Sequence, residues 1–166
     1  MALETGLRFN ELKTLKVHHL DLERTPPTVT VEGSYSKSGR TDVLPLRNDL
    51  ADDLRSHCSA RVPGANVFDM WRSAVGARMI RADLQEAGIP YHDSQDRVAD
   101  FHALRHTFIT NLARSGVHPK TAQTLARHST MELTMQVYTL VALDTKEEAI
   151  NQLPELVSRG RVRDTG

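Results

Sequence analysis

The sequence lacks the features of a secreted or membrane-embedded protein. Cys58 is its single cysteine, so no disulfide can form within the chain, which is compatible with a reducing compartment. No apolar run approaches the ~18 residues of a membrane-spanning helix, and no signal peptide is recognisable. These absences predict a cytoplasmic protein, and a length of 166 residues suffices for one domain with a real core.

The sequence also lacks a net charge, because 21 Lys and Arg residues balance 21 Asp and Glu residues. The charges are nevertheless unevenly distributed. Residues 102–128 contain four arginines and lysines and no acid, whereas residues 144–155 are rich in acids. A basic segment of this kind can bind phosphate in a neutral protein, although a solvated helix face has the same composition.

The hydrophobic pattern predicts an α+β fold that is mostly helical, with one small antiparallel sheet near its N-terminal end. Strands are expected at Thr28–Tyr35 and Thr41–Leu46, joined as a hairpin with Lys37 at its tip. Asp100 is a favourable N-cap, Pro119 suits a first turn, and Ser129 with Glu132 has capping-box spacing. Helices are predicted over residues 6–16, 48–61, 69–87, 100–116, 119–127, from 129 onward, and 144–153.

The segment FHALRHTFIT, residues 101–110, combines an apolar helix face with polar cationic side chains. His102 and Arg105 are three residues apart, so both emerge from one face of the helix. Arg105 offers a planar fork of donors that matches two phosphate oxygens, and His102 can exchange a proton near neutral pH. The pair suits an anionic group that changes charge during a reaction, but an exposed polar helix face would contain the same residues.

His102 and His106 are four residues apart, a spacing that also suits a metal ion. The segment lacks the glutamate of the H-E-x-x-H motif, and no third ligand is obvious. We therefore expect no metal, and we interpret His106 as a packing residue or a support for the neighbouring site.

Four further residues become informative only in combination. Arg8 precedes Glu11 by three residues, so that the carboxylate can hold the guanidinium, and Lys37 lies on a turn. His128 is expected at a helix end. Tyr138 follows an apolar helix face, and nearby cations would lower the pKa of its hydroxyl and make it a nucleophile. Each residue taken alone is equally compatible with a core or surface role.

Read in order, the segments ETGLRFNEL, YSKSGRTDVLPL, FHALRHTFIT and LARHSTMELTMQVYT resemble the catalytic domain of the tyrosine recombinases, the phage-integrase family. The signature of that family is an Arg, a Lys in a β-hairpin, His-x-x-Arg, a second His or Trp, and a Tyr. The resemblance covers residues 3–150 and is weakest across 62–99. The matching positions are Arg8, Lys37, His102, Arg105, His128 and Tyr138.

The resemblance implies a site-specific DNA recombinase or integrase that needs no cofactor and no metal. Tyr138 would attack a scissile phosphate to give a 3′-phosphotyrosyl link, which a 5′-hydroxyl from a partner strand then reseals. Arg8 and Arg105 would clamp the pentacoordinate phosphate, and His128 would donate to a non-bridging oxygen. Lys37 would be the general acid and His102 the general base.

The resemblance also implies partners and a domain division. The partner is double-stranded DNA, bound by a homo-tetramer that is a monomer or weak oligomer without DNA, in the nucleoid region of the cytoplasm. Residues 1–155 would form the catalytic domain, without the core-binding domain that normally precedes it, and 156–166 a basic mobile tail. Residues 143–153 would dock on a neighbouring protomer. The DNA-backbone candidates are Arg40, Arg114, Lys120 and Arg127.

Three other functions remain open at this stage. A type IB topoisomerase-like enzyme would use similar chemistry to relax DNA. A catalytically idle DNA-binding module would keep the fold alone. A metal hydrolase would be built on His102 and His106.

Overall fold

The computed structural model describes residues 1–35, 39–69 and 73–144, which form a mostly helical fold with a small antiparallel sheet, as predicted. Short 3-10 turns at Val17–His19 and Gly33–Tyr35 flank the first two strands. The strands are β1 (Leu20–Asp21), β2 (Thr28–Val31) and β3 (Asp42–Pro45). The helices are α1 (Ala2–Thr5), α2 (Phe9–Thr14), α3 (Asn48–Cys58), α4 (Ser73–Glu86), α5 (Phe101–Arg114), α6 (Pro119–Ala126) and α7 (Met131–Asp144).

The sheet has the order β1-β2-β3, and both pairs are antiparallel. The predicted hairpin is confirmed as β2 and β3, in which Val29 pairs with Leu44 and Val31 with Asp42. The strand β1 was not predicted, because two residues are too few to show an alternating pattern. The predicted hairpin tip, with Lys37, lies outside the described residues, as does the predicted helix 144–153 beyond Asp144.

Two helix boundaries that matter for the site follow from local chemistry. The Asp100 side chain accepts hydrogen bonds from the backbone N–H groups of His102 and Ala103, which confirms the predicted start of α5. The prediction of one helix over residues 6–16 is wrong, because Gly6 has a φ of 61° and terminates α1 in the left-handed conformation. The chain then restarts as α2 after Arg8.

The core has two parts. Leucines and valines of α2, α3 and the sheet form the larger part, and Phe108, Ile109, Ala126 and Val137 join α5, α6 and α7 in the smaller one. Gly6 connects the two regions: a Cβ atom there would lie 2.5 Å from the Phe108 ring. This close approach brings the turn before Arg8 against α5.

None of the helices in residues 1–35, 39–69 and 73–144 combines the length and the apolarity needed to cross a membrane.

Candidate active site

Arg8 and Glu11 are paired at the start of α2, as their spacing predicted. The Glu11 carboxylate accepts the backbone N–H of Arg8 at 2.7 Å, and Arg8 Nη1 donates to Glu11 Oε1 at 3.1 Å. The first bond caps the helix and the second fixes the guanidinium. The Arg8 side chain is 30% exposed, whereas the Glu11 side chain is buried. The buried carboxylate therefore holds a guanidinium that remains accessible at the surface.

Arg127, which follows α6, binds the same carboxylate from a segment 116 residues away in the sequence. Its Nη1 and Nη2 donate to Glu11 Oε1 and Oε2 at 3.0 and 2.6 Å, and its side chain is 2% exposed. The burial and the bidentate ion pair of this guanidinium argue against the predicted contact of Arg127 with the DNA backbone. Sequence reasoning missed this role.

The charge of Glu11 depends on these two arginines. Burial on its own raises the pKa of this carboxyl more than any other single influence. Hydrogen bonds from Arg127 and the Arg8 backbone, with both positive charges, outweigh burial and leave the pKa below its ordinary value. Glu11 is thus a buried carboxylate at neutral pH.

Arg105, on α5, lies deeper in the same site and is 2% exposed. Its Nη1 donates to the Gly6 carbonyl at 2.6 Å, and its Nη2 donates to the Ala126 carbonyl. Burial, followed by repulsion from Arg8 and Arg127, lowers its pKa to about 10, so it remains charged at neutral pH. We refer to Arg8, Glu11, Arg105 and Arg127 as the arginine cluster.

The two predicted site histidines lie beside this cluster. Burial, and then the charges of His106 and Arg105, lower the pKa of the exposed His102. Burial, then Arg105 and Arg8, lower the pKa of His128 to about 4. His128 Nδ1 lies 2.9 Å from the hydroxyl of Thr134, which is fully buried. Both imidazoles are therefore neutral near pH 7, ready to accept a proton or to donate one N–H.

Tyr138 differs from the other predicted residues. Its hydroxyl donates to the Val117 carbonyl at 2.6 Å, in the turn between α5 and α6. Burial raises the pKa of this phenol, and no cation among the described residues opposes it. The expectation that surrounding cations lower the pKa of Tyr138 is wrong for this arrangement, since the structure gathers the arginines and histidines but leaves the tyrosine hydroxyl on a carbonyl.

The remaining predicted residues are on the periphery. Arg40, Arg114 and Lys120 are exposed, and Lys120 Nζ donates to the Gln123 side chain at 2.8 Å. Lys37 lies outside the described residues. The three exposed cations are accessible to a phosphate backbone, in contrast to Arg127.

The described part of the chain offers one group of potential metal ligands, and it excludes His102 and His106. Ligand atoms of His18, His19 and Glu32 lie within 4.8 Å of one another. His19 Nδ1 accepts the backbone N–H of Lys16 at 3.2 Å, so the ring proton belongs on Nε2, 3.2 Å from Glu32. Because that nitrogen then has no lone pair for a metal, the group is better described as a His–Glu pair.

A broad groove elsewhere on the surface contains none of the predicted site residues. It has a volume of about 940 Å³ and lies among α1, α4 and α5, with Phe68, Ile80 and Leu104 in its apolar lining. The candidate chemistry is instead located where the ends of α1 and α6 approach Arg105.

Comparison with known proteins identifies the family of the chain. A sequence model of the phage integrase family matches residues 1–144. A tyrosine recombinase of Pseudothermotoga lettingae is 31% identical over 153 residues, covering 89% of this chain and 50% of the relative. Tyrosine recombinase XerA of Thermococcus kodakarensis is 30% identical over 153 residues, covering 87% and 50%. The chain spans about half the length of these curated relatives.

Solved structures confirm the expected catalytic-domain fold. The crystal structure of XerA recombinase superimposes with a TM-score of 0.71 at 23% identity, covering 93% of this chain and 55% of that one. The Tn1549 transposon integrase in complex with a circular intermediate DNA gives a TM-score of 0.70 at 21% identity, covering 92% and 56%. At these identities the likeness concerns the fold.

Proposed function

This chain belongs to the phage integrase family, and from that membership we propose that it is the catalytic part of a site-specific DNA recombinase. The observation that carries the proposal is the arginine cluster with two neutral histidines beside it. Two separate chain segments, the turn at Arg8 and helix α5, bring two guanidinium groups to one site. Such a cationic site is suited to a phosphate diester whose charge increases in the transition state.

In the proposed reaction, Arg8 and Arg105 bind the non-bridging oxygens of the scissile phosphate. Glu11 holds Arg8, and two carbonyls orient Arg105 through two of its five donors. Donors fixed before the substrate arrives need no reorganisation during the reaction, and each typically contributes ~3–4 kcal/mol to lowering the barrier. The neutral His128 adds one N–H to the same phosphate.

The covalent step joins Tyr138 Oη to phosphorus and breaks the bond from phosphorus to the 5′-oxygen. The phenol proton passes to the neutral His102, and Lys37 gives a proton to the leaving 5′-oxygen. The products are a 3′-phosphotyrosyl link and a free 5′-hydroxyl. A 5′-hydroxyl from a partner strand then reverses these steps, so the phosphodiester energy is conserved and no nucleotide cofactor is consumed.

Before this step Tyr138 has to release the Val117 carbonyl. A single hydrogen bond contributes only about 1 kcal/mol to stability, so DNA binding can supply the required free energy. We propose that the hydroxyl moves to the phosphate when double-stranded DNA is bound by a homo-tetramer in the cytoplasm. The exposed Arg40, Arg114 and Lys120 are the proposed contacts to the DNA backbone.

The test is the formation of a covalent protein–DNA adduct on a nicked suicide substrate, resolved on a denaturing gel in the presence of a chelator. Because the target site is unknown, the DNA is a fragment pool from the genomic flanks of the gene. We expect an adduct with the wild-type chain and none with Tyr138→Phe, although both bind the pool. Salt-sensitive binding without any adduct would overturn the proposal in favour of an idle DNA-binding module.

A further inference from the structure

Arg127 combines two features that are unusual for a surface arginine. It follows α6 in the left-handed conformation, with a φ of 53°, where glycine is the usual residue. Its side chain is 2% exposed and binds both oxygens of Glu11. A buried charge is retained only with a matched partner, so the position of this guanidinium is fixed by Glu11 and the position of Glu11 by the guanidinium.

The ion pair of Arg127 connects directly to the proposed phosphate ligands. The same two carboxylate oxygens accept the backbone N–H and the Nη1 of Arg8. On the main chain, the residue before Arg127 supplies the carbonyl that binds Arg105, and the residue after it is His128. Arg127 is thus linked to three of the predicted catalytic residues: to Arg8 through Glu11, to Arg105 through Ala126, and to His128 as its neighbour in the chain.

The charges around Glu11 come from several elements. Arg8 precedes α2, Arg127 follows α6, and Arg105 on α5 interacts with the carboxylate through its charge. On the sheet side, His19 and Glu32 line the same small cavity as Glu11. Of these groups, Arg127 is the one whose guanidinium alone binds both oxygens. Without it, burial would favour the protonated acid, which accepts hydrogen bonds from Arg8 poorly.

We propose that Arg127 is a positioning residue, which through Glu11 holds Arg8 in the orientation that binds the scissile phosphate. It touches neither the substrate nor the reacting atoms. This inference rests on the proposed function, because the phosphate is the group that Arg8 is oriented to bind.

The test compares the Arg127→Gly and Arg127→Lys variants with the wild-type chain in single-turnover adduct formation from pH 5 to pH 8. Glycine keeps the left-handed turn and removes the guanidinium, whereas lysine keeps the charge but loses the bidentate fork. We expect Arg127→Gly to slow the adduct on the order of 10²-fold, as small misplacements of catalytic groups do. The rate of adduct formation in Arg127→Lys should lie between the rates of Arg127→Gly and the wild type.

Two readouts separate positioning from a general loss of structure. The rate of Arg127→Gly relative to the wild type should fall further as pH is lowered. Without Arg127 the pKa of Glu11 is raised, so that protonation begins at a higher pH than in the wild type. In an Arg8→Lys background, Arg127→Gly should reduce the adduct rate much less than in the wild type, because both substitutions disrupt the same Arg8–Glu11–Arg127 network. Wild-type rates in both Arg127 variants, or full additivity with Arg8→Lys, would overturn the inference while the adduct itself upholds the proposed function.

A measurement without DNA tests the same inference if the wild-type chain forms no adduct and the proposed function fails. Nitrogen-15 NMR of the Arg8 side chain should show N–H groups protected from exchange in the wild type. Protection should decrease in Arg127→Gly and be partly restored in Arg127→Lys. Equal protection in all three proteins would show that Arg127 does not hold Arg8.

Discussion

Arg105 and Tyr138 lie on α5 and α7, two helices that pack against each other, yet their polar groups are held in opposite ways. The guanidinium of Arg105 is buried between two backbone carbonyls and belongs to a network of charges. The hydroxyl of Tyr138 is half-buried and has one bond, to the Val117 carbonyl. Under the proposed function, the cations that would bind phosphate are thus assembled before DNA arrives, and the proposed nucleophile is held on a carbonyl.

The arginine cluster and the Tyr138 hydroxyl differ in how much free energy is needed to displace them. Breaking a buried ion pair such as Glu11–Arg127 leaves an uncompensated charge and typically costs ~3–5 kcal/mol, so the arginine cluster stays in place. Releasing Tyr138 requires the loss of one hydrogen bond, about 1 kcal/mol. In the proposed function, Tyr138 would therefore stay on the Val117 carbonyl until DNA binds.

Among the proposed substitutions, replacement of Arg105 should reduce the rate of adduct formation the most. An Arg105→Lys variant cannot reach both the Gly6 and the Ala126 carbonyls with one ammonium group, and it lacks the planar fork. The adduct rate should fall about 10²–10³-fold, the usual loss for one preorganised donor. Arg78→Lys, at an exposed position of α4, is the matched control and should keep the wild-type rate. An unchanged rate in Arg105→Lys would remove Arg105 from the mechanism.

A second substitution tests the turn that supports Arg105. In Gly6→Ala, the new Cβ meets both a φ of 61° and the Phe108 ring at 2.5 Å, so the free energy of unfolding should fall by about 2–4 kcal/mol. Gly116→Ala has a φ of 70° with no atom within 4 Å and should lose only the backbone part, about 1–2 kcal/mol. Chemical denaturation measures both. Equal losses would mean that contact with Phe108 does not constrain this turn.

The neutral histidines predict how stability depends on pH. His128 has a pKa of about 4 when folded and an ordinary value near 6.5 when unfolded, so the unfolded chain binds more protons between these values. Stability should therefore decrease as pH falls from 6.5 to 4, by a few degrees in Tm. His128→Asn, which can still bond to Thr134, should flatten this slope. The same slope in both proteins would show that His128 is not buried beside the arginines.

The smallest expected change is in the salt dependence of DNA binding, which should differ between substitutions of exposed and of buried arginines. Removing one phosphate contact lowers the slope of log K against log salt by about 0.9 for duplex DNA. Arg114→Ala should show this decrease because its side chain is exposed. In an Arg8→Lys background, where the Arg8–Glu11 pair is already altered, adding Arg127→Gly should leave the slope unchanged because its guanidinium is bound to Glu11. A further reduction of the slope in this double variant would restore Arg127 as a backbone contact.

The sequence predicted what depends on local chemistry. Asp100 specifies the start of α5, so the positions of His102 and Arg105 on one helix could be predicted. The pairing of Arg8 with Glu11 follows in the same way from a separation of three residues. The order of the six signature residue types then predicts a candidate site by resemblance.

Other features depend on contacts between distant segments and could not be predicted. Arg127 is 116 residues from Glu11, so its burial leaves no local pattern, and a basic residue at a helix end is equally typical of a DNA contact. The bond from Tyr138 to Val117 depends on how α7 packs against the turn after α5. Periodicity likewise could not show that Gly6 adopts a left-handed conformation and divides the first predicted helix.

Titration of the Tyr138 phenol shows whether its hydroxyl lies on the Val117 carbonyl, away from the arginine cluster, in the absence of DNA. Carbon-13 labelling of the tyrosine Cζ atoms, with Tyr138→Phe to assign the signal, gives the pKa of this phenol in the DNA-free protein. We expect a pKa above the ordinary value of 10.0, because burial raises it and no described cation opposes it. A pKa below 10.0 would place the hydroxyl among the arginines before DNA binds and would contradict the account.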